Sequence, residues 1–182
     1  KQFEIEDLAV KYTHESAKYI QNKFILILGA GVVAHGLIER ALLHQPKAIR
    51  IIYRKNKPDL SKFEGLNVSA HQSAELDNIL SEADTIFSAV STSRFILHST
   101  HAPYFKKNSP VLILDVCVPR SVDHLLQEEC TNLCIADIEV LKKWYLGELK
   151  NLDAIKKVGL EEINNRIGRY EKILDKEWMQ EQ

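Results

Sequence analysis

Phe24-Ile25-Leu26-Ile27-Leu28-Gly29-Ala30-Gly31-Val32-Val33-Ala34 decides how the rest of the chain is read. Its first five residues are apolar on both alternations, which suits a strand covered on both faces of a parallel sheet. The run ends in G-x-G-x-x-A, with Ala34 in the third place. In this pattern Gly29 permits a tight turn, Gly31 lets backbone approach a pyrophosphate, and Ala34 keeps the next helix close to the strand. The first N–H groups of that helix have no partners of their own, and the helix dipole is positive there, so an anion is held. A bare glycine pattern is weak evidence. A strand before it, a helix after it and a second strand beyond make it specific for a dinucleotide.

Working outward, strands and helices alternate. Residues 32–44 read as a helix, and Ala48–Tyr53 as a second strand. Leu66–Ala70, Thr85–Val90, Val111–Val116 and Leu133–Ala136 read as four more. Helical stretches fall at 73–81, 99–106 and 122–127. This repetition predicts an α/β domain over 22–138, a doubly wound parallel sheet of the Rossmann type with flanking helices. Residues 1–21 read as an amphipathic helix carrying Leu8, Tyr12 and Ile20. Residues 139–182 hold nine basic and nine acidic residues and no proline. Leu141, Tyr145, Leu149, Leu152 and Ile155 recur at spacings of three and four. Ile163, Ile167, Tyr170 and Leu174 continue the stripe after a break near Gly159. Pairs such as Asp153–Lys157 and Glu162–Arg166 have the favourable i,i+4 order, so a long helix, or two, closes the chain.

Composition bounds the function. The 182 residues suit one domain plus an appended element. Lys+Arg 24 against Asp+Glu 25 leaves a net charge of −1, which argues against a chain that coats nucleic acid or a membrane surface. The longest apolar stretch, residues 24–34, is too short to span a bilayer. No secretory signal opens the chain, and it begins at Lys1, so it is read as a piece of a longer protein. Cys117, Cys130 and Cys134 then read as reduced thiols of a cytoplasmic protein. Cys130, Cys134 and His124 lack zinc spacing, and no metal is expected.

The second strand selects the cofactor. An NAD site usually has Asp or Glu at its end, to accept from the ribose 2′-hydroxyl. Here Tyr53-Arg54-Lys55 stands there, with no carboxylate before Asp59. Two cations suit a 2′-phosphate, and Arg54 can stack on adenine, so NADPH is favoured over NADH. Ligands of such sheets bind beyond the carboxyl ends of the strands. Ser88-Ala89-Val90-Ser91 follows the fourth strand, with small residues that make room for ribose and nicotinamide and hydroxyls that bond them. After the fifth comes Asp115-Val116-Cys117-Val118-Pro119-Arg120. Val116 and Pro119 border the nicotinamide side there, Pro119 ends the strand, and Arg120 can serve a substrate anion or an internal acid such as Asp137. His98 and His101 would supply an acid or base if the chain were a complete enzyme.

Leu114-Asp-Val-Cys-Val-Pro-Arg120 resembles the I-D-I-A-V-P-R signature of glutamyl-tRNA reductases. The turn at Gly29–Gly31, the arginine at Arg54, the turn at Ser88–Ser91 and the Leu133–Ile138 segment before a charged helix fall in that family's order. The likeness covers roughly 20–180, and its V-P-R part is the most specific. Shikimate dehydrogenases share the cradle without that turn. Departures are Ala34 where many members have glycine, Val90-Ser91 for a Thr-Gly pair, and Lys55 for a frequent threonine. The resemblance implies an NADPH-binding domain and the start of a dimer-forming spinal helix. It also implies tetrapyrrole biosynthesis, with a cysteine thiolate on a preceding domain attacking glutamyl-tRNA. No residue here matches that nucleophile's motif. The chain alone is therefore expected to bind NADPH without catalysing, and to meet glutamyl-tRNA through domains outside it.

Overall fold

The computed structural model describes residues 4–17, 20–106 and 108–180, with only the helical course described at 16–17 and 162–180. Six strands form one sheet: β1 Phe24–Leu28, β2 Ala48–Tyr53, β3 Val68–Gln72, β4 Thr85–Ser88, β5 Val111–Asp115 and β6 Leu133–Asp137. Their order is β3-β2-β1-β4-β5-β6, and every pairing is parallel. The chain therefore winds outward from β1 in one direction, crosses back at β4 and winds outward in the other. The switch point lies between β1 and β4, where ligand crevices form in such sheets.

The apolar runs explain the central strands. All residues of β1, β4 and β5 are buried, and each fully buried Leu, Ile or Phe contributes about 1.5–3 kcal/mol. One face packs Leu26, Leu28 and Ile86 against Leu76, Ile79 and Leu80 of α3, Leu76–Leu80. Helix α2, Val32–Leu42, buries Ala34, Leu37, Ile38 and Ala41. Helix α1, Ile5–Ala17, packs on α2. A Cβ on Gly36 would stand 2.9 Å from Glu6 Cγ, so glycine sets that approach. Arg40 Nε donates to Asp7 Oδ1 at 2.6 Å and its other end pairs with Glu4, tying the two helices together. Register aligns Leu28 with Ile52 and with Ser88, and Ser88 with Asp115, which faces Asp137. The carboxyl ends of five strands thus lie in one row.

Several boundaries differ from the sequence reading. β3 begins at Val68 rather than Leu66, because Gly65 (φ +81°) turns the chain and Leu66 N–H bonds back to Phe63. β4 and β5 stop at Ser88 and Asp115, before the Val90 and Val116 expected. The 99–106 helix is a 3-10 turn over Ser99–Tyr104 that contains Pro103. Val122 bridges to Leu97, so the helix expected over 122–127 is instead α4, Leu126–Glu129. Ile20 is buried but lies outside α1.

Helix α5 runs unbroken over Ile138–Gln180, without the break expected near Gly159. The chain divides into compact units at Lys142/Lys143. In the second unit Leu146, Leu149, Leu152, Ile155, Val158 and Leu160 are exposed. Ile163, Ile167, Tyr170 and Leu174 lie outside the described side chains. Among the described residues, no helix is long and apolar enough to cross a membrane.

Candidate functional site

The turn after β1 is built for close approach. Gly29 has φ +112°, a region that favours glycine, and its N–H donates to Ile52 O at 3.0 Å. A Cβ there would stand 2.4 Å from Ala89 O. Gly29 therefore serves the joining of the β1, β2 and β4 ends. Gly31 differs: its φ of −87° suits any residue, and a Cβ on it would meet nothing within 4 Å. It is the N-cap of α2 and no side chain caps the helix, whose first turn carries no acid. Unpaired N–H groups at a positive helix end, open to solvent at a glycine, form an anion cradle.

A cavity of about 700 Å³ lies over this turn, within the range of small-ligand pockets. It is lined by Gly29, Ala30, Gly31, Val32 and Val33 from the first loop and by Tyr53, Arg54 and Lys55 from the second. Ala89, Val90 and Ser91 line it from the loop after β4, and Val116 from the loop after β5. Arg54 and Lys55 are exposed and form no ion pair among the described residues. Their charge is available to a phosphate. Ser88 and Pro119, expected at the cofactor, do not line the cavity. Ser88 is fully buried, and its Oγ lies 2.7 Å from Ser121 Oγ. Pro119 follows a cis peptide in the loop beyond Val118.

That loop is held by a residue the sequence reading quoted without assigning. Asp115 is fully buried. Its Oδ2 accepts N–H bonds from Ser121 at 2.7 Å and Val122 at 2.9 Å. Its Oδ1 accepts from Cys117 N–H at 3.1 Å and Ser121 Oγ at 2.9 Å. These four bonds shape the V-P-R turn and set Val116, Cys117 and Val118 along the cavity. Cys117 Sγ accepts from Val90 N–H at 3.2 Å and donates to Ser88 O at 3.3 Å, so it joins the loops after β4 and β5. Burial pushes the Cys117 thiol up, which suits packing and not nucleophilic attack. The signal for both lay in the sequence: an Asp at a strand end with hydroxyl and proline residues close behind it.

Other candidates lie elsewhere. Arg120 does not line the cavity; its Nη1 donates to His124 Nε2 at 3.2 Å and lies 3.7 Å from Asp137 Oδ2. His98 and His101 face each other with ring centroids 4.4 Å apart, also off the cavity. Burial lowers His101's proton affinity. Ile5 of α1, Asn56, Ser73, Thr92 and Ile96 line the cavity without having been expected there.

The parallel sheet, its switch point and the glycine turn define a Rossmann-type domain of the dehydrogenase class. The chain belongs to the shikimate / quinate 5-dehydrogenase family, whose family model matches residues 11–144. Over this nucleotide-binding region it is also homologous to glutamyl-tRNA reductases. It is 30% identical to that of Francisella tularensis subsp. novicida over 67% of this chain and 29% of the relative. It is 26% identical to that of Bacillus subtilis over 88% of this chain and 34% of the relative. The chain thus spans about a third of the length of these relatives. The same fold occurs in the glutamyl-tRNA reductase of Methanopyrus kandleri, at TM-score 0.68 and 20% identity, covering 86% of this chain and 40% of that one. It occurs too in shikimate 5-dehydrogenase from Listeria monocytogenes, solved with shikimate and NAD, at TM-score 0.55 and 20% identity, covering 76% of this chain and 53% of that one.

Proposed function

We propose that this chain is the NADPH-holding region of a glutamyl-tRNA reductase. The observation that carries the reading is the Gly31 cradle, open where a Cβ would stand and facing a cavity flanked by Arg54 and Lys55. The N–H groups after Gly31 bind the pyrophosphate. Arg54 and Lys55 pair with the 2′-phosphate, Tyr53 and Arg54 border the adenine, and Ala89–Ser91 with Val116 border the ribose–nicotinamide side. Bound there, NADPH supplies hydride for reducing a glutamyl thioester to glutamate-1-semialdehyde, a step of tetrapyrrole synthesis. The chain's own residues orient the cofactor and shield its apolar side from water with Val90, Ile96 and Val116. Cys117, Cys130 and Cys134 have no part in thiolate attack, which belongs to a domain outside this chain. A charged tRNA substrate would suit a protein of the cytoplasm. The exposed apolar side chains from Leu146 to Leu160 support pairing of two copies through α5.

A chimaera tests this reading. Residues 20–180 replace the corresponding region of the Bacillus subtilis reductase, and glutamate-1-semialdehyde formation from glutamyl-tRNA and NADPH is measured. The expected result is an active chimaera, with the isolated chain inactive. A folded chimaera that binds NADPH but forms no product contradicts the reading. The family match favours one second reading, a small-molecule dehydrogenase, and turnover of shikimate by the isolated chain would establish it.

A further inference from the structure

We propose that Cys117 is a positioning residue for the nicotinamide end of the cavity: its thiol pins the backbone of Val90 against the glycine turn and so sets that wall before the cofactor arrives. This inference rests on the NADPH reading above. Cys117 lines the cavity yet is only 6% exposed. Its Sγ lies 3.2 Å from Val90 N and 3.3 Å from Ser88 O. A thiol has one hydrogen and free lone pairs, so both bonds coexist: S–H donates to the Ser88 carbonyl, and sulfur accepts from the Val90 N–H. Burial pushes the thiol up, so it keeps that hydrogen at neutral pH.

The thiol acts where the sheet ladder has ended. β4 and β5 pair last at Ser88 and Asp115. Beyond them, Val116 N–H donates to Ser88 O at 3.1 Å, and the thiol adds its two bonds on either side of Ala89. Cys117 is itself fixed, because its N–H donates to Oδ1 of buried Asp115 at 3.1 Å. On the other side, Ala89 N–H donates to Leu28 O at 2.9 Å, and a Cβ on Gly29 would stand 3.3 Å from Val90 Cγ1. Val90 is therefore held between the glycine turn and the V-P-R turn. A wall set in advance spares the cofactor the cost of ordering it. That wall serves the nicotinamide half. The adenine half rests on Tyr53, Arg54 and Lys55 after β2, across β1 from the loops that the thiol joins. Loss of the thiol is thus felt by one half of the ligand and not by the other.

The experiment titrates the whole chain with NADPH and with adenosine 2′,5′-bisphosphate, which carries the adenine half alone. The proteins are wild type, Cys117→Ala and Cys117→Ser. Alanine stands at this place in the I-D-I-A-V-P-R signature, so the turn accepts it. Serine has nearly alanine's bulk but keeps a group that both donates and accepts. Cys117→Ala should bind NADPH about two- to tenfold more weakly, the worth of one neutral hydrogen bond, and the bisphosphate as wild type does. Cys117→Ser should recover most of the loss. Amide exchange gives an independent reading: the Val90 N–H should exchange faster in Cys117→Ala, while the Ala89 N–H, bonded to Leu28 O, should not. Wild-type NADPH affinity in Cys117→Ala, an equal loss for both ligands, a serine variant as weak as alanine, or unchanged exchange at Val90 overturns the proposal. Absence of NADPH binding to wild type overturns the cofactor reading, and this assignment with it.

Discussion

Replacing Gly31 by valine should separate the cradle from the fold. At φ −87° and ψ −168° the backbone accepts an L-residue, and a Cβ there meets nothing within 4 Å. The folding cost is then the lost preference of the N-cap position, about 1 kcal/mol. The ligand sees a different surface, because the branched side chain stands where phosphate oxygens must reach the N–H groups of α2. An overpacked contact costs about 1–3 kcal/mol, and each charge-assisted hydrogen bond lost costs about 1.5–3 kcal/mol. With one such bond lost they come to about 2.5–6 kcal/mol, a weakening on the order of a hundredfold or more. Gly29→Ala is the contrast. Its Cβ would lie 2.4 Å from Ala89 O and 2.9 Å from Ala89 C, at φ +112°. Backbone strain and overpacking each cost about 1–3 kcal/mol, so this variant should melt well below wild type. Thermal melts and NADPH fluorescence titrations of the three proteins separate the effects. Binding of NADPH by Gly31→Val within about threefold of wild type would refute the cradle, since the expected loss is about a hundredfold. A melt as low as that of Gly29→Ala would refute it too.

Further outcomes follow from the same geometry. Arg54→Glu should weaken NADPH about ten- to a hundredfold more than NADH, because a phosphate hydrogen bond is lost and charge is reversed; equal losses remove the 2′-phosphate assignment. His14 and His44 stack at 3.9 Å, and burial first, then the neighbouring ring, lowers His44's proton affinity. The contribution of neutral His44 is present above the ordinary histidine value of about 6.5 and is lost as pH falls below it. Melting temperature should drop from pH 7 to 5, with a shallower slope in His44→Leu. At Asp84, burial raises the pKa, but hydrogen bonds from Lys106 Nζ at 2.7 Å and Phe24 N–H at 2.8 Å hold it below its usual value. That stabilisation is complete above about pH 4 and fades under more acid conditions; Lys106→Met should flatten this acid limb of the stability curve. Exposed Cys134 should react with a thiol reagent well before buried Cys117 at pH 8, and mass spectrometry of the labelled peptides reads the order.

What the sequence made legible is what depends on neighbours along the chain. The apolar run of β1, the glycine turn and the helix after it are contiguous, so residues 24–34 announce both the sheet and the cradle. Arg54 and Lys55 needed only a strand count to place them. What depends on distant partners stayed hidden. Asp115 organises its loop by bonding residues six and seven positions onward, and Ser88 turns from the cavity to meet Ser121. The contact of His35 with the carbonyl oxygen of Asp59, a residue outside its helix, was hidden in the same way. β3 begins later than its sequence suggests, because Leu66 looks like a strand residue but sits half exposed after a positive-φ glycine. The break expected at Gly159 did not occur, since about 1 kcal/mol per glycine is a small cost within a helix of 43 residues.

The most direct measurement is equilibrium binding of NADPH and NADH to the wild-type chain, followed by nicotinamide fluorescence at fixed pH and ionic strength. Saturable binding of one NADPH per chain, with NADH bound much more weakly, is the outcome that the Gly31 cradle and the Arg54–Lys55 pair require. No saturable binding of either nucleotide, or equal affinity for both, would contradict it.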